Sequence, residues 1–268
     1  MNHVMIDAYL GDVERLNDLK AVHSVLERIV DELNLDSVMP PFVLPYYYAK
    51  EKDDDGISAF VFLLGGHITI HTFPLRRCLF LDVLYDGYYN IDNLIDIIKK
   101  MFLTENVQSL RTERRFIDTS IDEEKIFTPS LEKLDFGPHT IAKIENVDIS
   151  LEQIYDWLDE LPEKINMEKI SRPYVIKSSV NNPQYISGLV LIAQSHIAFH
   201  YSIDEKILYC DAFSCSFYKI DNFEKYLKNK VAKNFIIMTL IRGSKHQRQI
   251  SQRETRNKLL ARWKENIK

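Results

Sequence analysis

Apolar residues recur along this chain in two rhythms, and each rhythm occurs twice. Between residues 13 and 34, Val22, Val25, Leu26, Ile29, Val30 and Leu33 fall three and four apart, which predicts one face of a helix. Residues 151–166 carry a weaker version of that pattern. Dense β-type runs follow at 57–64, 67–73 and 78–84, and again at 186–193, 196–202 and 207–213. A second helical pattern lies at 91–103 and 220–231, and a closing strand at 106–111 and 234–241.

The repetition extends to single residues. Ser58 and Ser187, His67 and His196, His71 and His200, and Asp82 and Asp211 are each 129 positions apart (196 − 67). Ile91 and Asp92 fall on Ile220 and Asp221 at the same shift, with no gap from Ser58 onward. Two copies of one unit account for this. Strands and helices in this order predict a sheet with helices on one face, and the other face must also be covered. Stacking the two sheets gives an α+β fold, a four-layer αββα sandwich with pseudo-twofold symmetry. The expected divisions are a first repeat at 1–117, a linker at 118–138, a second repeat at 139–243 and a C-terminal tail at 244–268. The linker "DTSIDEEKIFTPSLEKLDFGP" is polar and carries two prolines and a glycine.

A chain of 268 residues with 46% apolar and 27% charged content is long enough for a substantial core and ordinary in balance. No run of about 18 apolar residues occurs, so no membrane span is expected. The start, "MNHVMIDAYLGD", has neither the basic residues nor the apolar core of a secretory signal. Cys78, Cys210 and Cys215 are odd in number and lack metal-type spacing, which fits a reducing cytoplasm and no metal site. Net charge is −5, yet from Arg242 onward Lys and Arg dominate and Glu254 and Glu265 are the only acids. A solvated terminal helix explains this tail better than a nucleic-acid contact, because Trp263 is its only aromatic residue.

Chemistry enters where the repeats differ. The second holds Ser195, His200 and Cys215 where the first holds Gly66, His71 and Asp86. Small residues are common in strands and a buried cysteine behaves as a hydrophobe, so spacing alone favours a well-satisfied core over a site.

The motifs change that balance. "SGLVLIAQSHIAFHYSID" at 187–204 and "DAFSCS" at 211–216 resemble the prokaryotic S-adenosylmethionine decarboxylases, residue for residue in the spacing of Ser187, Ser195, His200 and Cys215. "GGHITIHTFP" and "HVMIDAYLGD" in the first repeat resemble the same family. The resemblance implies a self-processing enzyme. The Ser195 hydroxyl attacks the carbonyl of Gln194, the resulting ester eliminates, and the chain breaks between Gln194 and Ser195. Ser195 thereby becomes a pyruvoyl group, an electron sink for loss of CO₂ from an amino substrate. On this resemblance His200 and Ser187 assist the ester step and elimination, and Cys215 is the proton donor. Asp204 stands where the family has a glutamate that holds ribose hydroxyls. Alternation along the strand points His196 away from Ser195, as a structural histidine. His67 and His71 are expected as remnants.

Several positions depart from the family. Gln194 replaces a glutamate, and Ser202-Ile203 replaces Trp-Pro. The aromatic residue that stacks on adenine falls near Asn181, although Phe42 and Tyr46 of the first repeat offer rings. The implied substrate is S-adenosylmethionine, for polyamine synthesis. Alternatives are a pyruvoyl-dependent decarboxylase of ornithine or arginine, and a non-catalytic paralogue that binds ligand or regulates an active homologue. The expected assembly is a monomer acting as a pseudo-dimer, or a homodimer.

Overall fold

Each repeat opens with a strand that the apolar rhythm does not announce. In the computed structural model, which describes residues 1–47, 52–114, 137–178, 184–193, 195–231 and 235–243, the first repeat begins with β1 (Asn2–Tyr9). It continues with α1 (Val13–Leu16), α2 (Leu19–Glu32), β2 (Phe42–Tyr47), β3 (Gly56–Leu63), β4 (Gly66–Phe73), β5 (Cys78–Tyr85), α3 (Ile91–Phe102) and β6 (Asn106–Glu113). The second runs β7 (Gly137–Ile144), α4 (Leu151–Lys164), β8 (Tyr174–Lys177), β9 (Tyr185–Ile192), β10 (Ser195–Ser202), β11 (Ile207–Phe213), α5 (Ile220–Val231) and β12 (Ile236–Arg242).

Both sheets are antiparallel and share one topology: β2-β3-β4-β5-β1-β6 and β8-β9-β10-β11-β7-β12. The α+β, four-layer arrangement is the expected one. Four strands, β1, β2, β7 and β8, go beyond the sequence expectation. β7 starts at Gly137, so the last residues of the expected linker belong to a strand. The rest of that linker and the tail at 244–268 lie outside the described residues. The single helix expected at 13–34 is two helices. Asp12 caps the first, and the Asp18 carboxylate accepts from the Lys20 and Ala21 amides to start the second.

Strand alternation sorts the side chains into two unlike faces. In the first sheet Ala59, Val61, Leu63, Ile68, Ile70, Leu79, Leu81 and Val83 meet the helices in one apolar core. In the second, Val190, Ile192, Ile197, Phe199, Leu208 and Ala212 do the same. The opposite faces meet each other and carry aromatic rings, histidines and acids. Because both faces are covered, β3, β4, β9 and β10 are buried along their whole length. That is why their sequences read as near-continuous apolar runs broken by polar residues.

The repeats also differ in backbone clearance. A Cβ at Gly66 would lie 1.8 Å from the Leu84 carbonyl oxygen, and Gly65 beside it turns with φ +75°. Gly66 is the counterpart of Ser195. Restoring the serine with Gly66→Ser is therefore expected to destabilise the protein by on the order of 2 kcal/mol. It should create no second cleavage point. A urea midpoint and an intact mass check this, and an undisturbed midpoint would show that the strand can shift.

Candidate active site

The interface between the sheets contains a layer of buried polar and charged side chains. His3, His67, His71, His139, His196, His200, Asp82 and Asp211 are each fully buried. Four of these histidines belong to two hydrogen-bonded arms that cross from one repeat to the other. In the first arm Ser58 Oγ lies 2.9 Å from His71 Nδ1, and His71 Nε2 lies 2.9 Å from His196 Nδ1. In the second, Ser187 Oγ lies 2.9 Å from His200 Nδ1, and His200 Nε2 lies 2.7 Å from His67 Nδ1. The arms are pseudo-twofold mates, and both end at Asp211. Its Oδ2 is 3.4 Å from His196 Nε2 but 3.8 Å from His67 Nε2.

Asp82, the counterpart of Asp211, is engaged elsewhere. Arg242 donates through Nη1 to Asp82, through Nε to Asp7 at 2.9 Å and through Nη2 to the Ile6 carbonyl at 3.1 Å. Arg114 is its mate in the first repeat and donates to the Cys210 carbonyl at 3.0 Å. Neither arginine was singled out from sequence, nor were His3 and His139. They align only at other shifts, 128 for Arg114 and Arg242 and 136 for His3 and His139, on strands β1, β6, β7 and β12 at the outer half of each sheet.

Ser195 stands at the first position of β10, on the face opposite His196 and His200. Its Oγ accepts from the Cys215 amide at 2.8 Å, and the Cys215 thiol donates to the Ala193 carbonyl at 3.3 Å. Cys215 packs on Tyr9, Phe73, Cys78, Phe80 and Phe213, so the first repeat covers it. The nearest histidine arm is the one through His196, the chain neighbour of Ser195. His71 also faces Phe213, with ring centroids 6.1 Å apart.

The structure places the residues expected from sequence as follows. First, His200 lies five residues from Ser195 along a strand, about 16 Å away, and with Ser187 it belongs to the other end of the interface. Second, His71 and Ser58 are hydrogen-bonded to each other, and His71 to His196. Their arm reaches the residue beside Ser195, and His67 is bonded into the second arm. Third, Asp204 is exposed in the turn after β10, where it accepts from the Gln184 amide at 3.1 Å. It is at the strand end remote from Ser195. Its counterpart on the near side is Leu75, beside the Asp54–Arg76 ion pair. Fourth, Phe42 is half-buried and packed against Tyr174 at 4.6 Å and Phe60 at 5.3 Å between ring centroids. Gln194, Asn181 and the side chain of Tyr46 lie outside the described residues.

Each end of the interface thus draws on both repeats. One end combines Ser195 and Cys215 with Ser58, His71 and Leu75. The other combines Gly66 and Asp86 with Ser187, His200 and Asp204. There Tyr185 donates to Asp86, the counterpart of Cys215, at 3.0 Å.

The electrostatics follow from burial. Burial pushes the Cys215 thiol up to about 12, so it holds its proton at neutral pH. Burial lowers His3, His67, His71 and His139, and takes His200 down to about 3. Burial alone would raise Asp211, but His67, His139 and His196 outweigh it and hold the carboxyl well below its usual range. Donor atoms of His67, His196 and Asp211 lie within 4.8 Å of one another, a span a metal ion can bridge. The same layer already holds two guanidinium groups, whose charge opposes a divalent ion.

A family model described as S-adenosylmethionine decarboxylase matches residues 2–115 and 139–243. Among solved structures, the adenosylmethionine decarboxylase of Aquifex aeolicus VF5 is 21% identical and covers 44% of this chain and 92% of its own, with a TM-score of 0.36. A protein of unknown function from Galdieria sulphuraria is 5% identical and covers 89% of this chain and 98% of its own, with a TM-score of 0.21. No curated protein matches the chain. Among the described residues no helix is long and apolar enough to cross a membrane.

The buried imidazoles make stability depend on pH. Their folded pKa values lie below the unfolded value near 6.5, so the stability they contribute is complete above about pH 6.5 and is lost as pH falls through the window below it. Each histidine contributes up to about 1.4 kcal/mol per pH unit there. Urea midpoints measured between pH 8 and 5 should be level at first and then drop steeply. A level curve throughout would mean that water reaches the imidazoles and leaves their pKa values near 6.5, and a midpoint that rises on acidification would mean that they are charged in the folded state.

Proposed function

The chain belongs to the S-adenosylmethionine decarboxylase family, and we propose that it is a self-processing, pyruvoyl-dependent decarboxylase with one active centre built from both repeats. The observation that carries this is the contact between Ser195 and Cys215 at the end of the interface where the Ser58–His71 arm also ends. The Cys215 amide, aimed at Ser195 Oγ, orients the hydroxyl and supports charge on that oxygen as it attacks the preceding carbonyl. We assign the base to His71, which is hydrogen-bonded to His196, the chain neighbour of Ser195, and to Ser58; it takes the role that the resemblance gave to His200 and Ser187. A pyruvoyl group at position 195 would supply the electron sink for decarboxylation. The Cys215 thiol, protonated at neutral pH, would then deliver a proton to the substrate carbon. Three free thiols suit a cytoplasmic setting.

The substrate is an amino acid whose carboxylate is lost. Family membership favours S-adenosylmethionine and polyamine synthesis. A specific observation favours a second reading, ornithine or arginine: Asp204 is remote from Ser195, and Leu75, which has no carboxylate to hold a ribose diol, takes its place at the near end.

Purified protein should resolve by intact mass into fragments 1–194 and 195–268, the smaller with a blocked N-terminus, and Ser195→Ala should stay whole. A wild-type chain still at full mass after long incubation would overturn self-processing. Cys215→Ala should cleave but lose at least about 10²-fold in CO₂ release, and normal turnover would remove Cys215 from the mechanism. With processed protein, Asp204→Ala should leave CO₂ release within about two-fold for each of S-adenosylmethionine, ornithine and arginine, because an exposed side chain at the remote strand end touches no substrate. The three amines compared side by side decide between the substrate readings.

A further inference from the structure

The two serine–histidine arms look equivalent, but the charges around them are not. Asp82 is bound by Arg242, which also binds Asp7. The counterpart of Asp7 is Lys143, directed at Glu145, so nothing reproduces that clasp on the other side. Arg114 donates to a backbone carbonyl of the second repeat. Asp211 is therefore left to the imidazoles.

The proton positions can be worked out from donors that cannot accept. A guanidinium only donates, so His139 Nδ1, 3.1 Å from Arg242 Nη1, is an acceptor. The hydrogen of neutral His139 is then on Nε2, directed at Asp211 Oδ2 at 3.2 Å. The carboxylate accepts from His196 Nε2 in the same way. That leaves His196 Nδ1 without a hydrogen, so the 2.9 Å bond to His71 must carry the hydrogen of His71 Nε2. His71 Nδ1 is left as a lone pair facing the Ser58 hydroxyl. The reverse order would turn a nitrogen lone pair toward an anionic oxygen at the Asp211 end.

We propose that Asp211 is a positioning residue that acts through His196 to hold His71 as a proton acceptor at Nδ1. The device favours one arm, since of the two histidines that end the arms His196 lies 3.4 Å from Asp211 Oδ2 and within hydrogen-bonding distance, whereas His67 lies 3.8 Å away. That arm is the one ending beside Ser195. When His71 takes a proton at Nδ1 it becomes an imidazolium, and its Nε2 hydrogen, bonded through His196 to the carboxylate, disperses the positive charge toward Asp211. The inference rests on the reading of His71 given above for its purpose, but not for its geometry.

Two measurements on the full chain separate these levels. Imidazole ¹⁵N chemical shifts at pH 7.5 should show His71 protonated at Nε2 and bare at Nδ1. In Asp211→Asn, an isosteric change whose amide can donate to His196, His71 should move toward the Nδ1-protonated form, and self-cleavage should slow by roughly 10²–10⁴-fold. His196→Asn interrupts the arm while leaving the Asp211 charge in place, and should give the same loss should Asp211→Asn fail to fold. Finding His71 protonated at Nδ1 in the wild type, or its signals and the cleavage rate unchanged in both variants, would overturn the relay. A wild-type chain that never cleaves but shows the Nε2 form, lost in the variants, would uphold the relay and reject self-processing.

Discussion

Charge buried between two sheets is the constraint from which the rest of this structure follows. Asp7, Asp82 and Asp211 face Arg114 and Arg242 in a layer also filled with imidazoles. An ion in such surroundings is tolerable only with a partner in good geometry. Arg242 satisfies this by gripping two carboxylates of the first repeat from the last strand of the second. Arg114 reaches the opposite way to the Cys210 carbonyl. The two arginines thus reach across the interface in opposite directions, and the charged faces suit each other better than an apolar surface.

The same layer breaks the symmetry that duplication created. One carboxylate is neutralised by an arginine and its counterpart is free for histidines. A glycine pressed on a carbonyl occupies the place of a serine, and an aspartate occupies the place of a cysteine. One end of the interface holds Ser195 and Cys215 together with a histidine arm from the other repeat. The other end holds the Ser187–His200–His67 arm beside Gly66 and Asp86.

Much of this was legible in the sequence. The constant shift from Ser58 to Asp92 exposed the duplication, and strand alternation placed His196 opposite Ser195. The same alternation also places His200 opposite Ser195, and the length of β10 puts it and Asp204 far away. Aligning repeats pairs equivalent residues, whereas a twofold axis brings non-equivalent ones together, His71 with His196 and His67 with His200. That cross-pairing has no signature in a linear chain. β1 and β7 escaped notice because their interface faces carry His3, Asp7 and His139, which blur the apolar rhythm. Arg114 and Arg242 lie at the ends of unremarkable strands, and only the partner sheet reveals their purpose.

The strand order of the second sheet has a consequence for what a break before Ser195 would do to the molecule. β10, β11 and β12 would belong to the small fragment, and β7 to the large one, yet β7 lies between β11 and β12. The small piece would grip a strand of the large one from both sides and also border β9. The pieces would therefore stay joined without a covalent link, by main-chain hydrogen bonds, the Arg242 clasp and the histidine arms, as a native state that outlives the covalent path by which it formed. Once unfolded, they would have to find each other by collision, so thermal damage would become irreversible in dilute solution. Such a protein has its durability set by how slowly it opens.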